Sequence, residues 1–320
     1  MGCFMLSILL ILPDFLIICT GYLLYKFFSR IYTEAFWKGA EKTVFYILFP
    51  PLLFVSVATS NLTFEEAKEF LGTAIFTMLC AVAMSYLLRY LIPSDNVTHA
   101  SAFHCGFRFN TYIGFALVSR LYGEQGLALL SLLIAFWVPI SNTIAVAALA
   151  KAVAEKEKLQ HSSSVLFTTA KAILTNPLII ATILGLLCNF LQIKLPAVTV
   201  QFFRSLGSAS LAMGLLCIGA GLHFLQIRTE WKLVLSNALE RLVAVPIVAF
   251  SLAVIVGLPT PAAGTMIIFS MLPTAQSCYV MTASMRGNAQ IVAGITTVQT
   301  LLSICTIPLW IFVLMELFHF

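Results

Sequence analysis

Apolar residues in this chain gather in long blocks instead of alternating with polar ones, and the blocks have the length of a bilayer crossing. Ten of them cover residues 5–26, 38–60, 68–92, 97–119, 124–150, 164–191, 197–223, 230–257, 261–284 and 289–318. A helix rises ~1.5 Å per residue, so about 20 residues span the ~30 Å hydrocarbon layer. The pattern therefore predicts ten transmembrane helices. The first block is expected to stay as a helix and not to act as a signal peptide, because Met1 to Phe4 carries no basic residue and no cleavage site follows. The longest polar connection, Lys151 to Ser164, is too short to fold alone. The expected organisation is a five-helix unit over 1–150, a cytoplasmic linker over 151–163 and a second five-helix unit over 164–320.

Two blocks are not uniformly apolar. Phe107-Arg108-Phe109-Asn110-Thr111 interrupts the fourth, and Leu272-Pro273-Thr274-Ala275-Gln276-Ser277 interrupts the ninth. An unpaired peptide group in hydrocarbon costs several kcal/mol, so broken helix persists only where protein or a water-filled cavity surrounds it. An offset of 164 residues carries Pro13 onto Pro177, Gly21 onto Gly185, Phe109 onto Pro273 and Gly123 onto Gly287. Five blocks per half is an odd number, so the second half must enter the membrane from the opposite side. The expected architecture is two inverted five-helix repeats whose fourth and ninth helices are broken and cross. Paired interruptions of this kind point to the binding site of a secondary carrier.

Composition agrees: 60% of the 320 residues are hydrophobic and 10% charged, against roughly 45–50% and about 25% in soluble domains. Twelve Lys and Arg fall in or beside loops after odd-numbered blocks and four after even-numbered ones. That excess predicts cytoplasmic odd loops and both termini outside. The net charge of +5 then reports topology and not nucleic-acid binding. The eight cysteines are scattered, with no CxxC, and read as small core residues in place of disulfides or metal ligands. With no phosphate-cradling loop and no paired catalytic groups, neither an enzyme nor a cofactor is expected.

The candidate site follows from the interruptions. Arg108, the costliest side chain to place in a membrane, either attracts a substrate carboxylate or binds carbonyls freed at the break or a fixed acid. Asn110, Thr111, Thr274, Gln276 and Ser277 supply uncharged donors and acceptors that hold a carboxylate or repair the unwound backbone. Asn142, near Pro139, is a weaker candidate. Asp14 and His104 are candidates for ion coupling. Glu240 and Arg241, neighbours on a helix and so about 100° apart, each need a partner elsewhere; a structural tie and a gating role both remain open. His223 reads more simply as a hydrogen-bonded core group, and Asn176, beside Pro177, as repairing a helix kink.

The motifs resemble the auxin efflux carrier family, which includes plant PIN proteins and bacterial malate and malonate carriers. The resemblance runs nearly end to end: Phe45 to Phe54 with Pro50-Pro51, Phe109-Asn110-Thr111 with Gly114, Asn176-Pro177-Leu178-Ile179 with Gly185, Leu272-Pro273 through Tyr279, and Ile307-Pro308-Leu309-Trp310. It implies a scaffold of spans one, two, six and seven, an elevator-like transport domain of the others, and a carboxylate-binding role for Asn110. The sequence departs from plant relatives at Phe109 and from many members at Ala116, where they carry proline. The short 151–163 linker resembles the bacterial branch. The expected function is a secondary active carrier of small organic anions, mono- or dicarboxylates, in a bacterial inner membrane, coupled to protons or sodium, with a homodimer left open. A sodium-coupled carrier of the bile acid, arsenite or riboflavin type and a non-transporting receptor are the alternatives.

Overall fold

The computed structural model describes residues 2–59, 64–157, 177–222, 230–275 and 277–318. Among these, every regular element is a helix. In chain order they are α1 (Gly2–Phe27), α2 (Glu34–Ala58), α3 (Phe64–Leu91), α4 (Asn96–Phe103), α5 (Thr111–Glu157), α6 (Pro177–Phe190), α7 (Ala197–Ala220), α8 (Trp231–Val256), α9 (Thr260–Met271), α10 (Ser277–Ser284) and α11 (Ala289–Phe318). Six of these helices, α2, α3, α5, α7, α8 and α11, are long and apolar enough to cross a membrane; α6 and α9 are shorter apolar helices. Large side chains such as Phe190, Val198 and Ile255 lie on the outside. An apolar exterior on an all-helical chain is that of a multi-pass membrane protein, because helices satisfy their own backbone in lipid.

The fourth predicted block is divided between α4 and the start of α5, and the ninth between α9 and α10. At ~1.5 Å per residue, a straight α5 would be about 70 Å long, more than twice the hydrocarbon thickness. It is instead bent at Gly123, whose φ of 56° and ψ of −141° suit a residue without Cβ. The predicted gap between the fourth and fifth blocks falls at this glycine. Residues 151–157 of the expected linker continue α5 as helix; the rest of that linker lies outside the described residues.

Proline shapes two of the helices. In α2 a π-turn over Val44–Leu48 precedes Pro50-Pro51, and in α8 a π-turn over Glu240–Ala244 precedes Pro246. Pro246 lacks the N–H that would reach the Leu242 carbonyl one turn back. The indole Nε1 of Trp310 on α11 supplies that donor at 2.9 Å.

Helices α1, α2, α6 and α7 pack on one another, and α3, α4, α5, α8, α9, α10 and α11 pack among themselves. The groups meet where α1, α2, α6 and α7 touch α5 and where α1 touches α11. The α1–α7 contact is backbone on backbone: a Cβ on Gly21 would overlap the Leu216 carbonyl, and one on Gly219 the Ile18 carbonyl. Lipid offers helices no hydrophobic drive to associate, so such close approach of small residues holds them together.

Candidate functional site

The two interruptions meet. Residues 104–110 leave the helix between α4 and α5, and residues 272–275 do so between α9 and α10. The Asn110 amide donates to the Pro273 carbonyl at 2.8 Å, joining one segment to the other. Four further carbonyls at or beside the interruptions, those of Gly106, Phe107, Phe269 and Leu272, accept from side chains of other helices. Arg241, fully buried on the π-turn of α8, donates from Nε to Leu272 O at 2.8 Å and from Nη2 to Phe269 O at 3.1 Å. Its Nη1 reaches Gly106 O at 3.5 Å. One guanidinium therefore caps the ends of both α9 and α4. Trp137 Nε1 donates to Phe107 O at 3.0 Å.

Side-chain amides add a second set of contacts. Thr274 N donates to Gln299 Oε1 at 2.8 Å, Gln299 Nε2 to Asn237 Oδ1 at 2.9 Å, and Asn237 Nδ2 to Ala102 O at 3.2 Å. This buried chain leads from the second interruption back to α4. Asn110 Oδ1 accepts from Tyr112 N at 3.1 Å and Ile113 N at 3.4 Å, which is an N-cap on α5. Its role in starting that helix is thus structural whatever else it binds.

A cavity of about 430 Å³ opens beside the crossing. Asn110, Thr111, Ala275 and Ser277 form its wall on the side of the interruptions, and Lys38, Glu41 and Lys42 of α2 face them. Phe49 and Tyr112, both in the lining, stack with ring centroids 5.2 Å apart and planes 6° from parallel. Arg108 is buried behind this wall. Its Nη2 donates to Ser277 Oγ at 3.1 Å and its Nη1 lies 3.5 Å from Met281 Sδ. Among the described residues no carboxylate pairs with it.

The predicted residues divide accordingly. Arg108, Asn110, Thr111 and Ser277 gather at the cavity; Thr274 is fully buried next to it, with its hydroxyl 3.3 Å from Cys278 Sγ. Gln276, His223 and Asn176 lie outside the described residues. Asn142 is not in the cavity lining, and its Oδ1 is shut away from solvent without a hydrogen-bond partner. Asp14 lies far along α1, paired with Arg120 of α5 at 2.9 Å. Glu240 accepts the Ser85 hydroxyl. Glu240 and Arg241 thus find separate partners, as their helical spacing requires. His104 Nε2 sits 2.9 Å from Thr282 Oγ1.

Lys38, Glu41 and Lys42 of the cavity, and the Gln299–Asn237 pair behind it, are additions to the sequence reading. The lysines had counted only as orientation signals at a helix end. Gln299 was visible as a lone amide in the last apolar block, though nothing in the sequence tied it to Asn237.

A chain of lipid-length helices, with unwound backbone gathered around a polar cavity, has the form of a membrane transporter. The comparison with known families agrees: the chain belongs to the membrane transport protein family, the auxin efflux carrier type, whose family model matches residues 6–311. No curated protein matches it.

Proposed function

We propose that this protein is a secondary active carrier of small organic anions, with mono- or dicarboxylates as the substrate class. The observation that carries the reading is Arg108: a buried guanidinium without an acid partner among the described residues, one hydrogen bond behind Ser277 in the cavity wall. A cation held out of water favours an anion that completes its hydrogen bonds, and a carboxylate matches a guanidinium two atoms to two. Asn110, Thr111 and Ser277 add uncharged groups, and Lys42 adds a cation at the cavity, where Lys38 is paired with Glu34 at 2.7 Å and Glu41 stands between the two lysines in sequence. The half-helix N-terminus of α5, which begins at Thr111, adds its dipole in the same sense.

The wider proposal is two inverted five-helix repeats in a bacterial inner membrane with both termini outside. The group of α1, α2, α6 and α7 acts as scaffold, and the other group carries the crossing as an elevator-type transport domain. Under that orientation Lys38 and Lys42 put the cavity mouth on the cytoplasmic side. Asp14 remains the proposed coupling residue; its pairing with Arg120 supplies a contact that protonation would loosen.

Uptake of labelled carboxylates by purified protein in proteoliposomes, with a proton or a sodium gradient imposed separately, tests the reading. Charge-assisted hydrogen bonds contribute about 1.5–3 kcal/mol each, so losing two in Arg108→Gln should cut uptake efficiency by roughly two to four orders of magnitude at unchanged protein level. Wild-type uptake by that variant would overturn the site.

A further inference from the structure

One cluster beside the crossing takes no part in the proposed anion site. His104 and Cys105 belong to the first interruption and Cys278 to the first turn of α10, and the three are buried. One ligand atom from each lies within 4.8 Å of the other two. The sequence, with cysteines 173 positions apart and no metal-type spacing, gave no hint of it. Two features single this cluster out from ordinary core cysteines. The His104 Nε2 is engaged by the Thr282 hydroxyl at 2.9 Å, while its Nδ1 is buried with no hydrogen-bond partner. A ring fixed through one nitrogen with the other left bare is the arrangement of a metal-binding histidine and its outer partner.

We propose that Cys105, Cys278 and His104 bind one divalent, thiophilic d10 metal ion of the zinc type. The ion takes two thiolates and the neutral imidazole through Nδ1, and the two thiol protons leave for solvent. Two thiolates and a divalent cation sum to zero, so the filled site adds no net charge to a buried place, which is the condition burial imposes. Metal–sulfur bonds near 2.3 Å and metal–nitrogen bonds near 2.0–2.1 Å in a tetrahedron require ligand separations of roughly 3.3–3.8 Å. The three atoms, within 4.8 Å of one another, need to draw together by about 1.5 Å at most. The Thr274 hydroxyl, 3.3 Å from Cys278 Sγ, stands beside the fourth position, which a water can also fill. The path in is short, because Ser277, adjacent to Cys278, lines the cavity. Once bound, the ion ties the first interruption to the second and adds a clasp to the Asn110–Pro273 hydrogen bond.

The test uses cadmium as the probe, because its thiolate complexes absorb in the ultraviolet by charge transfer. In phosphine-reduced protein in detergent, Cys3, Cys19, Cys80, Cys188, Cys217 and Cys305 are changed to serine, leaving the pair in question. The expected result is one cadmium ion per chain with a thiolate charge-transfer band and the release of two protons. Adding Cys278→Ser should abolish the band, and adding His104→Gln should weaken binding at least tenfold with both thiols still countable after denaturation. If the sixfold variant does not fold, wild type is compared with Cys105→Ser/Cys278→Ser, which should bind one cadmium fewer. Absence of a band with two intact thiols, equal cadmium in wild type and the double variant, or binding indifferent to His104→Gln overturns the proposal. Binding is read without transport, so failure of the carrier reading leaves this result standing.

Discussion

Replacing Arg241 with methionine should loosen both interruptions at once. Methionine keeps most of the volume and the unbranched stem but strips the Leu272 and Phe269 carbonyls of donors at 2.8 and 3.1 Å, and Gly106 O of a longer contact. A buried carbonyl left without a donor costs about 1–3 kcal/mol, so the two short bonds set a loss of roughly 2–6 kcal/mol. Part is offset, because methionine carries none of the several kcal/mol of desolvation that a buried ion incurs. A net loss at the low end of that range, about 2 kcal/mol, is expected. An unfolding entropy of about 2.1 cal/mol/K per residue scales to roughly 0.7 kcal/mol/K for this length. The midpoint of thermal unfolding, followed by tryptophan fluorescence in detergent, should therefore fall by about 3 °C. Arg241→Lys keeps the charge, yet a single ammonium on a flexible stem cannot span carbonyls on two segments; it should recover half the loss or less. A methionine variant melting within 1 °C of wild type would refute the claim that this guanidinium holds the crossing.

Other outcomes follow from single contacts. Trp310→Phe removes the donor to Leu242 O and should cost about 1 kcal/mol with little change in packing, read from the same melting curves. In a double-mutant cycle, Asp14→Asn and Arg120→Met should show a coupling energy of about 1 kcal/mol or more, since Asp14 is buried while Arg120 is one-third exposed; additive losses would dissolve the pair. Gly219→Val drives a side chain into the Ile18 backbone and should abolish recovery of folded protein from membranes, whereas Gly39→Ala, with open space around it, should be neutral. Burial acts to raise the Asp95 carboxyl, but hydrogen bonds from Thr98 and from the Val97 amide, with Lys156 nearby, outweigh it and hold the group below its ordinary value. A carboxyl lowered on folding stabilises at pH above its ordinary range, and that stability is lost as pH falls through the folded value; Asp95→Asn should flatten this acid limb of melting temperature against pH.

The interruptions were legible in sequence because each puts polar side chains or proline into an apolar block, and hydrocarbon tolerates neither without a partner. The bend at Gly123 was legible for a related reason: a continuous helix there would be too long for the bilayer. What satisfies the broken backbone was not legible. Arg241, Trp137 and Gln299 reach the crossing from helices remote in sequence, and the identity of a long-range donor depends on packing that local pattern does not encode. Lys38 and Lys42 show the same limit from another side. Charge near a helix end reads as topology, and only the packing of α2 against α5 brings these residues to the cavity.

The parallel rings of Phe49 and Tyr112 sit where α2 of one helix group abuts α5 of the other. Interlocked aliphatic side chains resist lateral travel, because each must climb out of its socket. Flat faces behave otherwise: an offset of an ångström or two within the plane keeps most of their overlap, since displaced stacking is itself a favoured geometry. At this one point of the seam, beside the cavity, the two rings can therefore shift within their common plane at little cost in stacking.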